Sequence, residues 1–317
     1  MKKSLIALAV AGVVSAPAFA ATSNVDVYGV MNVAIQDTDA TGVGIQVTDN
    51  FSRIGFKGSE DLGGGLKAVW QIESGMGSGS DGVGANPDFA TRNTFIGLAG
   101  GFGTFVMGRH DTPYKIATLK YDIFADTIAD YNLGRLDGVQ LINNTHDHRS
   151  PNAIAYISPS FSGLTIAAAV VATNNAANLD DGKSFDAVSL AAMYGNGPLT
   201  VDLAYQDVSL LDSKGIKLGV GYKMGDSKLG FVYEDIDNGP GVDRDSWLIN
   251  VAHGMGPITL KAQYGQVDAG AADQDQWGLG ADYALSKRTT AYVVYGTGDN
   301  DAGTDVSGWN IGMRHSF

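Results

Sequence analysis

Leu199-Thr200-Val201-Asp202-Leu203-Ala204-Tyr205-Gln206 alternates without a slip. Leu199, Val201, Leu203 and Tyr205 fall on one face; Thr200, Asp202, Ala204 and Gln206 fall on the other. A period of two sustained over this length is a strand with one apolar and one polar side. The phase returns in Ile216, Leu218, Val220 and Tyr222 against Lys217, Gly219, Gly221 and Lys223. It returns again in Trp277, Leu279, Ala281 and Tyr283 against Gln276, Gly278, Gly280 and Asp282. Val25 to Gln36 and Leu66 to Glu73 read the same way.

Two architectures make such strands. In a soluble sandwich the apolar face meets a second sheet. In a membrane barrel it meets lipid, and the polar face lines a lumen. The connections discriminate, because they alternate in length. Asp61 to Gly65, Ser158 to Gly163, Gly195 to Pro198, Gly225 to Ser227, Gly254 to Pro257 and Leu285 to Arg288 are tight. Longer polar loops fall around residues 37–51, 75–91, 174–184, 207–214, 236–245, 267–275 and 297–306. Short turns at one end and long loops at the other are the asymmetry of a bacterial barrel, and about sixteen strand-like segments suit its even strand number. Aromatics near strand ends (Phe56, Trp70, Tyr194, Tyr205, Tyr222, Phe231, Trp247, Tyr264, Tyr283 and Trp309) suit an interfacial girdle. The expected fold is therefore all-β, a transmembrane antiparallel barrel.

The chain has 317 residues, no Cys, 43 Gly and 17% charged residues. Without Cys there is no disulfide framework, thiolate metal site or Cys nucleophile. Lys2 and Lys3, the apolar run Leu5 to Val14 and Ala18-Phe19-Ala20 form a secretory signal, so residues 1–20 are expected to be cleaved and 21–317 to form the barrel. Cleavage removes two lysines and takes the formal charge from −13 to −15. Such acidity disfavours nucleic acid as a partner.

One interval breaks the alternation. Around residues 110–150, from His110 to Arg149, no strand is evident, and long loops inside compact domains are usually functional. Asp122, Asp126 and Asp130 recur every fourth residue, so a helical turn would stack them on one face. A solvated helix face is the competing reading of such a run. Asp111, Asp137 and Asp147 are weaker acidic candidates, and Tyr114, Tyr121 and Tyr131 are assigned to packing. His146 and His148 flank Asp147, but two imidazoles without further ligands are not read as a metal site. There is no Gly-x-Ser-x-Gly elbow, dinucleotide fingerprint or phosphate loop, so an enzyme is not expected.

Several stretches carry a resemblance. The chain ends Trp309-Asn310-Ile311-Gly312-Met313-Arg314-His315-Ser316-Phe317, with the terminal aromatic in phase with Trp309, Ile311, Met313 and His315. Val25-Asp26-Val27-Tyr28-Gly29, Ser52 to Gly58 followed by Glu60 to Gly63, Gly103 to Arg109, and Leu285 to Thr289 with Tyr292 and Tyr295 occur in order ahead of it. Over its whole mature length the chain resembles the general diffusion porins of Gram-negative outer membranes. The resemblance implies a homotrimer of sixteen-stranded barrels whose third external loop folds inward. It implies acids on that loop facing a basic wall, matched here by Arg53, Lys57, Arg92 and Arg149. Val30 stands where many relatives have Lys. The final Phe317 would be read by the barrel-assembly machinery, and lipid and lipopolysaccharide would surround the barrel. The resemblance also suggests that the loop at residues 75–91 latches onto a neighbouring subunit.

Opposed rows of charge across a narrow aqueous gap would select small hydrophilic solutes passing by diffusion. Net charge points to mild cation preference. No cofactor is expected beyond loosely held Ca²⁺ or Mg²⁺ at the acidic outer loops (Asp180-Asp181, Asp235 to Asp245, Asp299 to Asp305). A sugar channel would need a lumenal aromatic row and a phosphate channel a basic run in the loop, whereas Lys115, Lys120 and Arg135 are scattered. A non-conducting structural or adhesive barrel is the other alternative.

Overall fold

Leu203 is 53% exposed, while its neighbours Asp202 and Ala204 are 0% and 2% exposed. The apolar face of this strand therefore points out of the molecule, the reverse of a soluble sandwich. The same inversion exposes Val25, Val27, Ile96, Met107, Ile216, Ile249, Leu279 and Ile311. The computed structural model describes residues 24–39, 44–77, 89–136, 138–172, 185–270, 273–300 and 305–317. The expected signal peptide, the tip of the 75–91 loop, Asp137 and Asp180-Asp181 lie outside the described residues. No helix among the described residues is long and apolar enough to cross a membrane.

Among the described residues, seventeen antiparallel strands form one sheet closed on itself. The first seven are β1 (Asn24–Thr38), β2 (Gln46–Asp49), β3 (Arg53–Gly63), β4 (Leu66–Gly75), β5 (Thr94–Gly100), β6 (Gly103–Asp111) and β7 (Arg149–Ile157). Then follow β8 (Leu164–Ala172), β9 (Phe185–Asn196), β10 (Leu199–Val208), β11 (Ser213–Met224) and β12 (Ser227–Asp237). The last five are β13 (Arg244–Met255), β14 (Ile258–Asp268), β15 (Gln274–Ala284), β16 (Thr289–Asn300) and β17 (Val306–Ser316). β2 and β3 both pair with β1, so they share one place in the wall and leave sixteen places around it. The interruption between them holds Phe51 at φ 61°.

β1 closes the barrel by pairing with β17 over Val30–Thr38. Gly29 and Phe317 exchange both backbone hydrogen bonds, at 3.1 and 3.0 Å, so the terminal residue is part of the seam. Three of the short turns show the two-residue hairpin form. Asn196 pairs with Leu199, Met224 with Ser227 and Met255 with Ile258. Gly197, Gly225 and Gly256 supply the positive φ that the first turn position requires. Toward the long-loop end, Tyr233 faces Trp247, Tyr264 faces Trp277 and Tyr295 faces Trp309 across neighbouring strands, as an interfacial girdle requires.

The core lies inside the barrel and is made by the segment between β6 and β7. It opens with α1 (Pro113–Thr118), capped by Thr112, whose hydroxyl accepts from the Lys115 N–H, and continues as a 3₁₀ turn at Leu119–Tyr121. Beyond Tyr121 the chain runs in turns. Asp122, Asp126 and Asp130 therefore do not stack on a helix. The Asp122 and Asp130 carboxylates accept N–H bonds from residues two further on, Phe124 and Asn132, and Asp126 sits at φ 59°. Such local bonds compete with helical ones, and a left-handed residue breaks the helical repeat.

Phe124, Ile128, Ala129 and Leu136 pack on Ala34, Tyr292, Val294 and Val306. Tyr121, Tyr131, Leu141 and Ile142 pack on Val232, Leu248 and Val267, while Tyr114 and Ala117 pack on Ala167, Ala191 and Ala204. The three tyrosines assigned to packing are thus buried in it. Gly219 and Gly221 leave room for the Tyr121 ring, and Gly278 and Gly280 for Phe124 and Ala129; a Cβ at any of the four would press into those side chains. The small residues on the inward face are sockets for the loop.

Candidate functional site

The inward faces of β1, β3, β4 and β7 bring the charged wall together, and each residue gets there by phase. Tyr28, Gly55 and Glu73 share one register row, with Arg53 two residues before Gly55 along β3 and Lys57 two residues after it. Arg149 opens β7 opposite Asp111 at the end of β6. Arg92 precedes β5 and donates its backbone N–H to the Glu73 carbonyl at 3.0 Å.

Each guanidinium is held by a carboxylate. Arg53 donates to Asp126 at 2.8 Å and to the Phe51 carbonyl at 3.1 Å. Arg92 Nε meets Glu73 at 2.5 Å, and the Tyr28 hydroxyl donates to the same carboxylate at 2.9 Å. Arg149 reaches Asp111 at 3.0 Å and the Asn93 amide oxygen at 2.6 Å. Lys115 stands 3.9 Å from Asp111. Lys57 is exposed, with its ammonium 5.2 Å from the centre of the Tyr28 ring. Planar, permanently charged guanidiniums held in fixed forks keep a direction that flexible lysines would not.

The acidic side is less of a row than the spacing suggests. Asp126 is the one of the three that meets the wall. Asn32 also fixes it, donating to its carbonyl at 2.9 Å. Asp130 is 5% exposed and accepts from the N–H groups of Asp126 and Asn132 at 2.9 and 3.0 Å, so its carboxylate ties the loop to itself. Burial pushes it up to about 6 against those two bonds. Burial, and then the Asp130 charge, lift Asp122 well above the usual carboxylate range.

The remaining loop candidates anchor it to the far wall. Asp147 and Lys217 are both fully buried and meet at 2.5 Å, and Asn132 donates to Asp147 at 2.7 Å. Glu234 accepts from the Tyr114 hydroxyl at 3.0 Å, the Asn143 N–H at 2.7 Å and Arg244 at 3.0 Å. Lys120 and the Tyr121 hydroxyl both bind Asp202. His146 and His148 do not converge on a point: each ring bonds a serine, Ser213 and Ser150, at 2.8 Å. Burial lowers His146 to about 4, so it is neutral at physiological pH. Among the described residues no group of three His, Cys, Asp or Glu gathers to hold a metal.

A barrel whose third long connection turns inward to meet a guanidinium cluster is the geometry of a restricted aqueous channel, and comparison with known proteins agrees. The family model described as Gram-negative porin matches residues 7–303. The chain belongs to the Gram-negative porins. It is 31% identical to outer membrane porin protein 32 of Delftia acidovorans and 28% identical to the major outer membrane protein P.IB of Neisseria gonorrhoeae, each alignment covering both chains fully. Among solved structures, the anion-selective porin from Comamonas acidovorans superposes with a TM-score of 0.78 at 25% identity, covering 93% of this chain and all of that one. OmpF of Salmonella typhi shares the fold, with a TM-score of 0.70 at 18% identity over 92% of this chain and 97% of that one.

Two residues of this porin's charged cluster escaped the reading of sequence alone. Glu73 is the carboxylate around which Arg92 and Tyr28 gather, and Asn93 bridges Arg149 and Asp111. Glu73 lies on the polar face of β4 with Lys67 and Gln71, a phase visible in the sequence. What that phase lacked was the register that sets Glu73 beside Tyr28.

Proposed function

We propose that this porin passes ions and small hydrophilic solutes by diffusion, with no covalent step, and that its ionic preference is set at the narrows rather than by net charge. The observation that carries this is the local balance of charge. Arg53, Lys57, Arg92, Lys115 and Arg149 face four carboxylates, Asp26, Glu73, Asp111 and Asp126. The arginine side chains are 17–23% exposed; Asp126 matches them at 22%, but Glu73 and Asp111 are only 9% exposed, so the passage meets more positive than negative charge. Fields inside a low-dielectric wall act over a few ångströms and are screened beyond about a Debye length, ~8 Å in physiological salt. Acidic outer loops therefore count for less than the cluster. The expectation of cation preference gives way to a weak preference for anions, which also agrees with the name of the Comamonas acidovorans relative.

Reversal potentials across a planar bilayer in a KCl gradient test this directly. An anion-selective sign is expected. A cation-selective sign would remove the argument from local charge and leave the channel intact, while absence of conductance would favour a purely structural barrel. We further infer a homotrimer in the outer membrane after removal of residues 1–20, surrounded by lipid and lipopolysaccharide and assembled through Phe317. Family membership and the apolar outer face support these assignments.

A further inference from the structure

On the short-turn side of the arginine cluster the lumenal wall changes character. β4 to β6 turn Val69, Phe95 and Val106 into an open cavity of about 480 Å³ that also reaches Lys57 and His110. These are inward positions, in phase with Gln71, Thr104 and Gly108. A water-filled lumen gives no reason for apolar side chains there. Elsewhere in the barrel, inward apolar residues are covered by the loop. Here Val69 and Phe95 pack around Val106, Ala155 and Ala169 without a loop residue among them. The Phe95 ring meets His110 edge-on at 5.2 Å, and His110 Nδ1 lies 2.5 Å from the Asp111 carbonyl, which fixes both rings. Lys57 brings an exposed ammonium to the same cavity, with Asp26 as its cross-strand neighbour.

We propose that this cavity is a transit subsite for small aromatic carboxylates. The carboxylate would take the Lys57 ammonium while the ring lies on Val69, Phe95 and Val106. A flat apolar floor beside one cation matches an anion with an apolar body, and matches neither an inorganic ion nor a sugar. Asp26 opposes the cation and keeps binding weak enough for release, as conduction requires. The proposal rests on the channel reading.

The test is concentration-dependent block of KCl current through the reconstituted full-length porin by benzoate, acetate and benzyl alcohol. Benzoate should block at about tenfold lower concentration than acetate, the scale of one aromatic contact. Benzyl alcohol, with the ring but no charge, should block less than benzoate. Phe95→Ser and Val69→Thr should each move benzoate toward acetate, and Asp26→Asn should strengthen benzoate block. Equal block by benzoate and acetate would overturn the subsite, as would benzoate block unchanged in both wall variants. If Phe95→Ser does not assemble, Val69→Thr, close to it in shape, carries the test alone. Loss of KCl conductance in the unaltered protein would instead defeat the channel reading, a separate result.

Discussion

The two sides of the barrel interior use the same alternation for opposite ends. From β8 round to β17 the inward positions are glycines, alanines, buried polar groups and larger apolar residues such as Leu248 and Val294, and the loop covers them. From β3 to β7 they carry partly exposed arginines, Lys57 and an apolar patch that the loop leaves open. One side holds the obstruction and the other forms the passage. A porin interior is thus half protein core and half aqueous wall, and the same substitution should act on folding at one side and on permeation at the other.

The sharpest way to break that division is at the buried anchor. Lys217→Met leaves the Asp147 carboxylate without its cation in a fully buried site. Stranding one member of such a pair costs about 3–5 kcal/mol, and replacing both often costs little. The loop amides of residues 112–148 should lose hydrogen-exchange protection in the single variant and regain most of it in Lys217→Met/Asp147→Asn. Equal protection in the single variant and the unaltered protein would mean that the anchor does not hold the loop. Next in size is Gly280→Val, which forces branched carbons toward the Phe124 ring; overpacking of this kind costs roughly 1–3 kcal/mol. It should destabilise loop docking, whereas Gly101→Val, in a turn with open space around it, should leave the loop amides protected.

Acidity should act in the same place. Asp130 has a folded-state value of about 6, above the ordinary carboxylate range of ~4. A raised value means the docked loop binds the proton more tightly than the free loop does. Docking is therefore favoured below pH ~4 and loses that contribution as pH rises through about 6, by on the order of 3 kcal/mol. Loop protection measured from pH 4 to 7 should fall in the unaltered protein and fall less in Asp130→Asn, where Asp122 still titrates. A rise over that interval would contradict the assignment.

Much of this was legible in the sequence, and the remainder fails for one physical reason. Strand phase is local, so Leu203 and Asp202 on opposite faces follow from Leu199 to Gln206 alone, and the alternation of short and long connections turns Leu203 outward. The turn glycines and the inward-folded loop follow from spacing and resemblance. Relations between strands are not local. Gly219, Gly221, Gly278 and Gly280 read as neutral members of a polar face until the Tyr121 and Phe124 rings are placed against them. The four-residue recurrence of Asp122, Asp126 and Asp130 suggested a helix because spacing records period and not dihedral angle. Side chains that bond their own backbone, with Asp126 at positive φ, produced turns instead. Glu73 was visible as an inward residue, but its tie to Arg92 and Tyr28 needed a register that no local pattern encodes.

The smallest expected effects fall on the passage side, and their opposite signs make them informative. Arg53→Gln removes one exposed cation and frees Asp126, so the reversal potential should move toward cations. Glu73→Gln removes the most central carboxylate and should move it further toward anions. A unit charge a few ångströms from the path in water-like surroundings is worth on the order of 1 kcal/mol, so each permeability ratio should change by about two- to fivefold. Neither variant touches the sockets or the Lys217–Asp147 anchor, so loop protection should stay near that of the unaltered protein. If both variants moved the potential the same way, the preference would arise elsewhere than in this cluster. If Arg53→Gln also released the loop amides, Asp126 would be part of the anchor, and the line between obstruction and passage would run through that ion pair.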